Sequence, residues 1–158
     1  KDLNIPIIAD PKLTGLHRTH AVDWIIFQSR GFELMKRRIG ESDDSIAAKS
    51  LLESYGWKHL VVLAGGNGVT IYSESDNTVH VACTLPQLRQ VIGLIDAAVV
   101  AIAVSISNGF SVSDTALLTN AACECILSAQ ATDSFSLSKD MLIHRVGEIA
   151  WNLQVSKR

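Results

Sequence analysis

Gly93 and Asp96 stand at the head of Val91-Ile92-Gly93-Leu94-Ile95-Asp96, and the run from there to Val104 is otherwise apolar on every side. An aspartate in a first helical turn has two kinds of chemistry open to it. It can complement unsatisfied backbone amides and the positive end of the macrodipole, with no further role. Alternatively, the glycine turn and helix start form an anion hole, and the carboxylate beside it is a base. Lys12, closing Asp10-Pro11-Lys12, is either a phosphate-neutralising group at a strand end or a solvated lysine after a turn. Gly65-Gly66-Asn67-Gly68 has the residue types of a phosphate-cradling loop. Those types equally suit a tight hairpin, which the residues alone favour.

Other chemistries lack their residues. His17, His20, His59, His80 and His144 show no carboxylate or cysteine spacing of a metal site, and His17 with His20 reads as a surface loop. Cys123 and Cys125, two apart on a helix, point to different faces and make no ligand pair. Ser111 and the other serines have no legible His–Asp arrangement for acyl transfer. The three tryptophans, Trp24, Trp57 and Trp151, read as packing residues. Fourteen Lys+Arg against sixteen Asp+Glu give a net charge of −2, which makes no electrostatic case for nucleic acid or an anionic membrane. Three cysteines without paired spacing indicate reduced thiols and a reducing intracellular compartment, cytoplasmic or organellar matrix. No signal peptide is legible, and the apolar run from Ile95 to Val104 is too short to span a bilayer.

The elements that must position these groups follow from periodicity. A chain of 158 residues, 47% hydrophobic and 19% charged, suits one globular domain with a substantial core. Short apolar runs predict buried strands over 5–9, 24–27 and 60–63, each followed by polar or glycine-rich residues. A helix is predicted over 32–39, stopped at Gly40, and a second is capped by Ser42 and stopped at Gly56. Residues 69–72 and 78–82 read as further strands of a β-meander, turning near Asp76-Asn77. From Gly93 the pattern is helical, over about 94–107, 111–128 and 138–155. Ser111-Val112-Ser113-Asp114 resembles a capping box with Asp in place of Glu. This order predicts an α/β layer fold, whose ligands sit beyond strand carboxyl ends and at helix N-termini.

The same order of motifs resembles the C-terminal half of a ribokinase/PfkB-family carbohydrate kinase, and within that family the heptose-7-phosphate kinase group. "IPIIADPKLTG" resembles the strand ending in Asp-Pro-Lys-Gly, and "WIIFQSRGFELM" occupies the place of Thr-Pro-Asn-x-x-Glu. "LVVLAGGNGVTIY" occupies the place of the Thr-x-Gly-x-x-Gly hairpin. "VIGLIDAAVVAIAVSISNG" falls where the family has Thr-Gly-Ala-Gly-Asp and a small-residue helix, and "TNAAC" resembles Ala-Asn-Ala-Ala on the next helix.

The resemblance implies a three-layer ribokinase-like fold and phosphoryl transfer from ATP, with Mg²⁺, to a sugar hydroxyl. It implies Asp96 as base, Gly93 and Lys12 at the phosphates, and Gly65, Gly68 and Asn120 toward the nucleotide, with Asn120 at the adenine end. It further implies a sugar-binding half that is absent here, supplied by an upstream segment or another chain. Several motif positions are changed. Ile92, Leu94 and Ile95 replace the threonine, alanine and second glycine of the anion hole, and a β-branched isoleucine shields an amide that glycine leaves open. Ser29 and Phe32 stand at the Asn and Glu that organise Mg²⁺, with Glu33 one residue late. Leu63 takes the hairpin's threonine, and Leu13 the glycine after Lys12. The expectation is therefore a kinase scaffold with weakened or lost activity, or a non-catalytic interaction subunit of a larger assembly.

Overall fold

The computed structural model describes residues 5–75, 77–89, 91–129 and 136–155. It is mixed α/β, with five strands in one sheet whose order, β1-β2-β3-β4-β5, is the chain order. The strands are β1 (Ile8–Ala9), β2 (Trp24–Gln28), β3 (His59–Leu63), β4 (Val69–Ser73) and β5 (Thr78–Val81). The helices are α1 (Ser29–Ile39), α2 (Asp44–Tyr55), α3 (Leu94–Ser107), α4 (Val112–Ser128) and α5 (Lys139–Val155). None of the helices among the described residues is long and apolar enough to cross a membrane. The chain divides into two compact units, one of residues 1–64 and 70–80 and the other of 65–69 and 81–158.

The first unit holds nearly all of the sheet. β1 runs parallel to β2 with Ile8 opposite Trp24, and β2 runs parallel to β3 with Ile25 opposite Leu60. Near-continuous burial of Trp24–Phe27 and Leu60–Leu63 is what a parallel sheet covered on both faces demands. One apolar cluster joins Ile25, Phe27, Leu60 and Val62 to Phe32 and Met35 of α1 and Leu51 and Leu52 of α2. Trp57, 1% exposed, closes that cluster and satisfies its indole by donating to the Thr19 carbonyl at 2.6 Å.

Three sequence readings need correction here. The first strand is two residues long: Pro6 has no amide to give, and although the Ile7 carbonyl accepts from the Asp23 and Trp24 amides, its own amide goes to a side chain. The Ile7 amide donates to Asp23 Oδ2 at 2.8 Å, while Lys58 pairs with Asp23 Oδ1 at 2.6 Å. Burial opposes the Asp23 carboxylate, yet these bonds outweigh it and hold its pKa below the ordinary value. α1 begins at Ser29, and Gly31 lies inside it rather than in a turn; a Cβ there would stand 3.3 Å from Phe27 Cδ1, so glycine brings the helix close to the strand. The cap of α2 is Asp43, whose Oδ1 accepts from the Ile46 amide at 2.9 Å, rather than Ser42. The glycine stops were legible, since Gly40 and Gly56 both take the left-handed conformation.

The second unit is built on three helices. α4 packs against α3 and α5, and Ala97, Ala101, Ala122 and Ile126 form a cluster whose small side chains let α3 and α4 approach closely. Ser111 caps α4 as expected, accepting from the Asp114 amide at 3.1 Å while donating to Asp114 Oδ2 at 2.6 Å. From Thr119 to Leu127 every residue of α4 is buried.

Candidate active site

The second unit carries most of the predicted site. α3 starts at Gly93 with φ +85°, where an added Cβ would meet nothing within 4 Å. Conformation rather than crowding therefore asks for glycine. Asp96 lies in the first turn and is exposed, with no hydrogen-bond or ion-pair partner among the described residues. Leu94, 4% exposed, is drawn into the core, Ile95 is half-buried, and Ile92 is 80% exposed. A glycine turn, a helix start and an open carboxylate thus coincide. Chemically, that arrangement can take a proton beside an anion.

The positions expected at the nucleotide are differently placed. Gly65 is half-buried and Gly66 exposed, and a Cβ added to either would stand 3.9 or 3.3 Å from Leu88 Cδ1. Gly68, at φ +90°, is pressed against the chain after β5; a Cβ would come within 2.0 Å of the Val81 carbonyl oxygen and 2.7 Å of the Cys83 amide nitrogen. Its φ and this close approach each ask for glycine at position 68. Asn120 is 1% exposed, and its Nδ2 donates to the Ala82 carbonyl at 3.3 Å and to Glu124 Oε1 at 3.1 Å. In the first unit, Lys12 is exposed at the start of the 3-10 turn Leu13–Arg18.

Sequence reasoning missed the polar centre of this unit. Glu124 is fully buried. Its Oε1 accepts from the Thr84 amide at 2.6 Å, and its Oε2 from the Thr84 hydroxyl at 3.1 Å and from Arg145 Nε at 2.5 Å. A second guanidinium nitrogen of Arg145 also contacts Oε2, and that nitrogen donates to Thr84 Oγ1 at 2.7 Å. Glu148 takes the third arm at 2.6 Å. Burial works against the Arg145 charge, but the bonds to Glu148 and Glu124 prevail and raise its pKa further. Beside this cluster, burial first and the Glu124 charge second push the Cys123 thiol up to about 12. The one available signal was a lone glutamate inside TNAACECILSA, because such a charge is rarely buried without a partner.

Metal binding has little to draw on. The described residues contain no group of three His, Cys, Asp or Glu able to hold an ion. Of the two positions at the family's Mg²⁺ motif, Phe32 is 2% exposed in the first unit's core. Glu33, one residue later, is paired with Lys36 at 3.0 Å. These residues do not fit a resident metal site.

No family model matches the chain. Among curated proteins it is 32% identical over 125 residues to the bifunctional protein HldE of Hyphomonas neptunium, covering 77% of this chain and 25% of that protein. It is 25% identical over 138 residues to HldE of Photobacterium profundum, covering 86% and 29% respectively. The chain thus spans between a quarter and a third of the length of these relatives. Among solved structures, ribokinase from Thermotoga maritima superposes with a TM-score of 0.78 at 19% identity, over 92% of this chain and 50% of that one. The Y23D mutant of phosphofructokinase-2 from Escherichia coli gives 0.77 at 15% identity, over 94% and 48%. The fold is thus ribokinase-like, and the chain is similar to the bifunctional HldE proteins while spanning about half the length of the ribokinase-like structures it superposes on.

Proposed function

We propose that the chain forms the phosphoryl-transfer side of a sugar kinase related to the heptose-7-phosphate kinases, working at reduced efficiency. The exposed Asp96 carboxylate in the first turn after Gly93 carries this reading. Asp96 accepts the proton of a sugar hydroxyl as that oxygen attacks the γ-phosphorus of ATP. The bond from phosphorus to the β,γ-bridging oxygen breaks, and ADP leaves with its electron pair. The amides at the α3 start stabilise charge on the transferring group, since a helix N-terminus favours anions. Mg²⁺ would travel with the nucleotide phosphates, as it commonly does, and neutralise their charge. Ile95 in place of a glycine weakens the anion hole by shielding its amide. Further polypeptide, upstream or from another chain, supplies the sugar-binding half.

Coupled detection of ADP release from ATP and heptose 7-phosphate tests this reading, using the chain joined to the rest of its kinase half. Asp96→Asn is expected to lower turnover about 10²–10⁴-fold, the usual weight of a general base. Turnover that ignores this substitution refutes the assignment.

A second reading has its own observation. α3 has no charged residue besides Asp96, yet Val100 and Val104 are 57% and 45% exposed, as a ridge one turn apart. A helix apolar all round is normally covered. A non-catalytic, pseudokinase-type subunit would use this ridge for docking, and would bind a partner without binding ATP.

A further inference from the structure

We propose that the outer face of α5 is a docking groove for a polypeptide segment that carries a basic side chain and, a few residues away, an apolar one. The kinase reading is not needed for this. α5 is fixed by its inner face, where Ile149 is fully buried and Leu142 packs on the α3–α4 cluster. Its outer face is unusual at three residues spaced one turn apart. Ile143 is 59% exposed and Trp151 67%, so a tryptophan that the sequence suggests is a packing residue stands mostly in solvent. Between them Gly147 is exposed, and a Cβ added there would meet nothing within 4 Å. Glycine inside a helix costs stability relative to alanine, and neither crowding nor a positive φ asks for it here. The result is a notch between two large apolar side chains, open to the close approach of another backbone. Tryptophan is also among the residue types that most often anchor an interface.

The groove on this face has a volume of about 630 Å³ and is lined by Thr84, Arg145 and Glu148 as well as by the apolar stripe. Charge selects its occupant. Glu124 and Glu148 both pair with Arg145, so with His144 uncharged two carboxylates face one guanidinium and leave one negative charge. Every nitrogen of that guanidinium already donates, to Glu124, Thr84 or Glu148, so an anion finds its fork in use. Glu148 Oε2 is bonded to Arg145, whereas Oε1 has only His144 Nδ1 beside it at 3.7 Å, too far for a hydrogen bond. An open carboxylate oxygen with an exposed indole one turn further on suits an ammonium or guanidinium group. The stripe then continues back to Ile143, about 12 Å from Trp151 at 1.5 Å per residue, beyond the reach of a small amine. An extended polypeptide covers that distance in about four residues.

Fluorine NMR of the chain joined to the rest of its kinase half, labelled with 5-fluorotryptophan, tests this at pH 8. The Trp151 signal is assigned with Trp151→Phe. The probe is the acetylated and amidated peptide Leu-Gly-Ser-Gly-Lys, with the same peptide ending in Glu and butylammonium as controls. The lysine peptide is expected to shift the Trp151 signal saturably, to leave those of the buried Trp24 and Trp57 in place, and to bind at least tenfold tighter than either control. Glu148→Gln is expected to weaken it about threefold, the weight of an exposed ion pair. Gly147→Ala is expected to stabilise the helix and yet weaken the peptide. Equal binding of the glutamate peptide overturns the choice of a cation, and equal binding of butylammonium overturns the polypeptide in favour of a small amine. A Trp151 signal that moves on diluting the protein alone shows a second copy on the stripe and overturns the proposal, as does the absence of any response. Gly147→Ala that stabilises without loss of binding overturns the notch.

Discussion

Removing Arg145 is the sharpest perturbation of this structure. Arg145→Met keeps the aliphatic bulk of the side chain and leaves the Glu124 carboxylate, 0% exposed, without its counter-ion. The Thr84 and Asn120 donors remain, but neither carries a charge. Stranding a buried partner in this way costs about 3–5 kcal/mol. At roughly 2–4 °C per kcal/mol for domains of this size, the melting temperature falls by about 6–20 °C. The Glu148 arm is a different matter. Glu148 is 44% exposed, so its pairing with Arg145 is worth under ~1 kcal/mol, and Glu148→Ala barely moves the transition. Replacing both partners, as Glu124→Leu with Arg145→Met, removes the charge along with its counter-ion and recovers most of the loss. Urea melts followed by far-UV circular dichroism give the full double-mutant cycle. Arg145→Met within about 1 kcal/mol of the parent, or a double variant whose loss is the simple sum of the singles, refutes the reasoning.

Three other outcomes follow from the same geometry. Gly68→Ala combines φ +90° with a Cβ 2.0 Å from a carbonyl oxygen, and Gly93→Ala meets φ +85° with open space. Gly93→Ala is expected to cost about 1–2 kcal/mol and Gly68→Ala clearly more, and equal losses in denaturant melts contradict the difference in crowding. His59 stacks on Trp24 at 4.0 Å, and burial holds its pKa below the ordinary 6.5. The unfolded chain therefore takes up this proton first, so the contribution is full above pH 6.5 and lost as pH falls through the lower folded value. Thermal melts across pH 5–8 should show that decline, flattened in His59→Gln. Finally, Cys123 at about 12 stays protonated at pH 8, and iodoacetamide should modify it only after denaturation. Rapid native labelling at Cys123, located by peptide mass mapping, contradicts the burial described.

Much of the fold was legible because its signals are local. Apolar runs gave β2 and β3, glycines gave the ends of α1 and α2, and Ser111 with Asp114 gave the cap of α4. The readings that failed were those decided by distant residues. Nothing near Ile7 announces that Asp23 and Lys58 will hold it, and the pattern around Ser42 and Asp43 allows either to cap. The site divides in the same way. Gly93 and Asp96 lie within four residues of sequence, so the helix start that holds them is a local signal. The resemblance puts Asn120 toward a nucleotide, and only the fold shows its amide donating to Ala82 and Glu124. Besides Asn120 one turn away, the partners of Glu124 lie 40 residues before it and 21 after, at separations periodicity cannot read.

The sheet's strand order has a consequence for synthesis. Each strand pairs with the one made just before it, so none must be threaded between two that are already joined. As the polypeptide leaves the ribosome, β1, β2 and β3 can close with the α1–α2 layer while the three later helices are still being translated. Chains emerge at about 5–20 residues per second, which leaves this layer several seconds to form by itself. The strand order thus lets these strands reach their register before Glu124 and Arg145 are made.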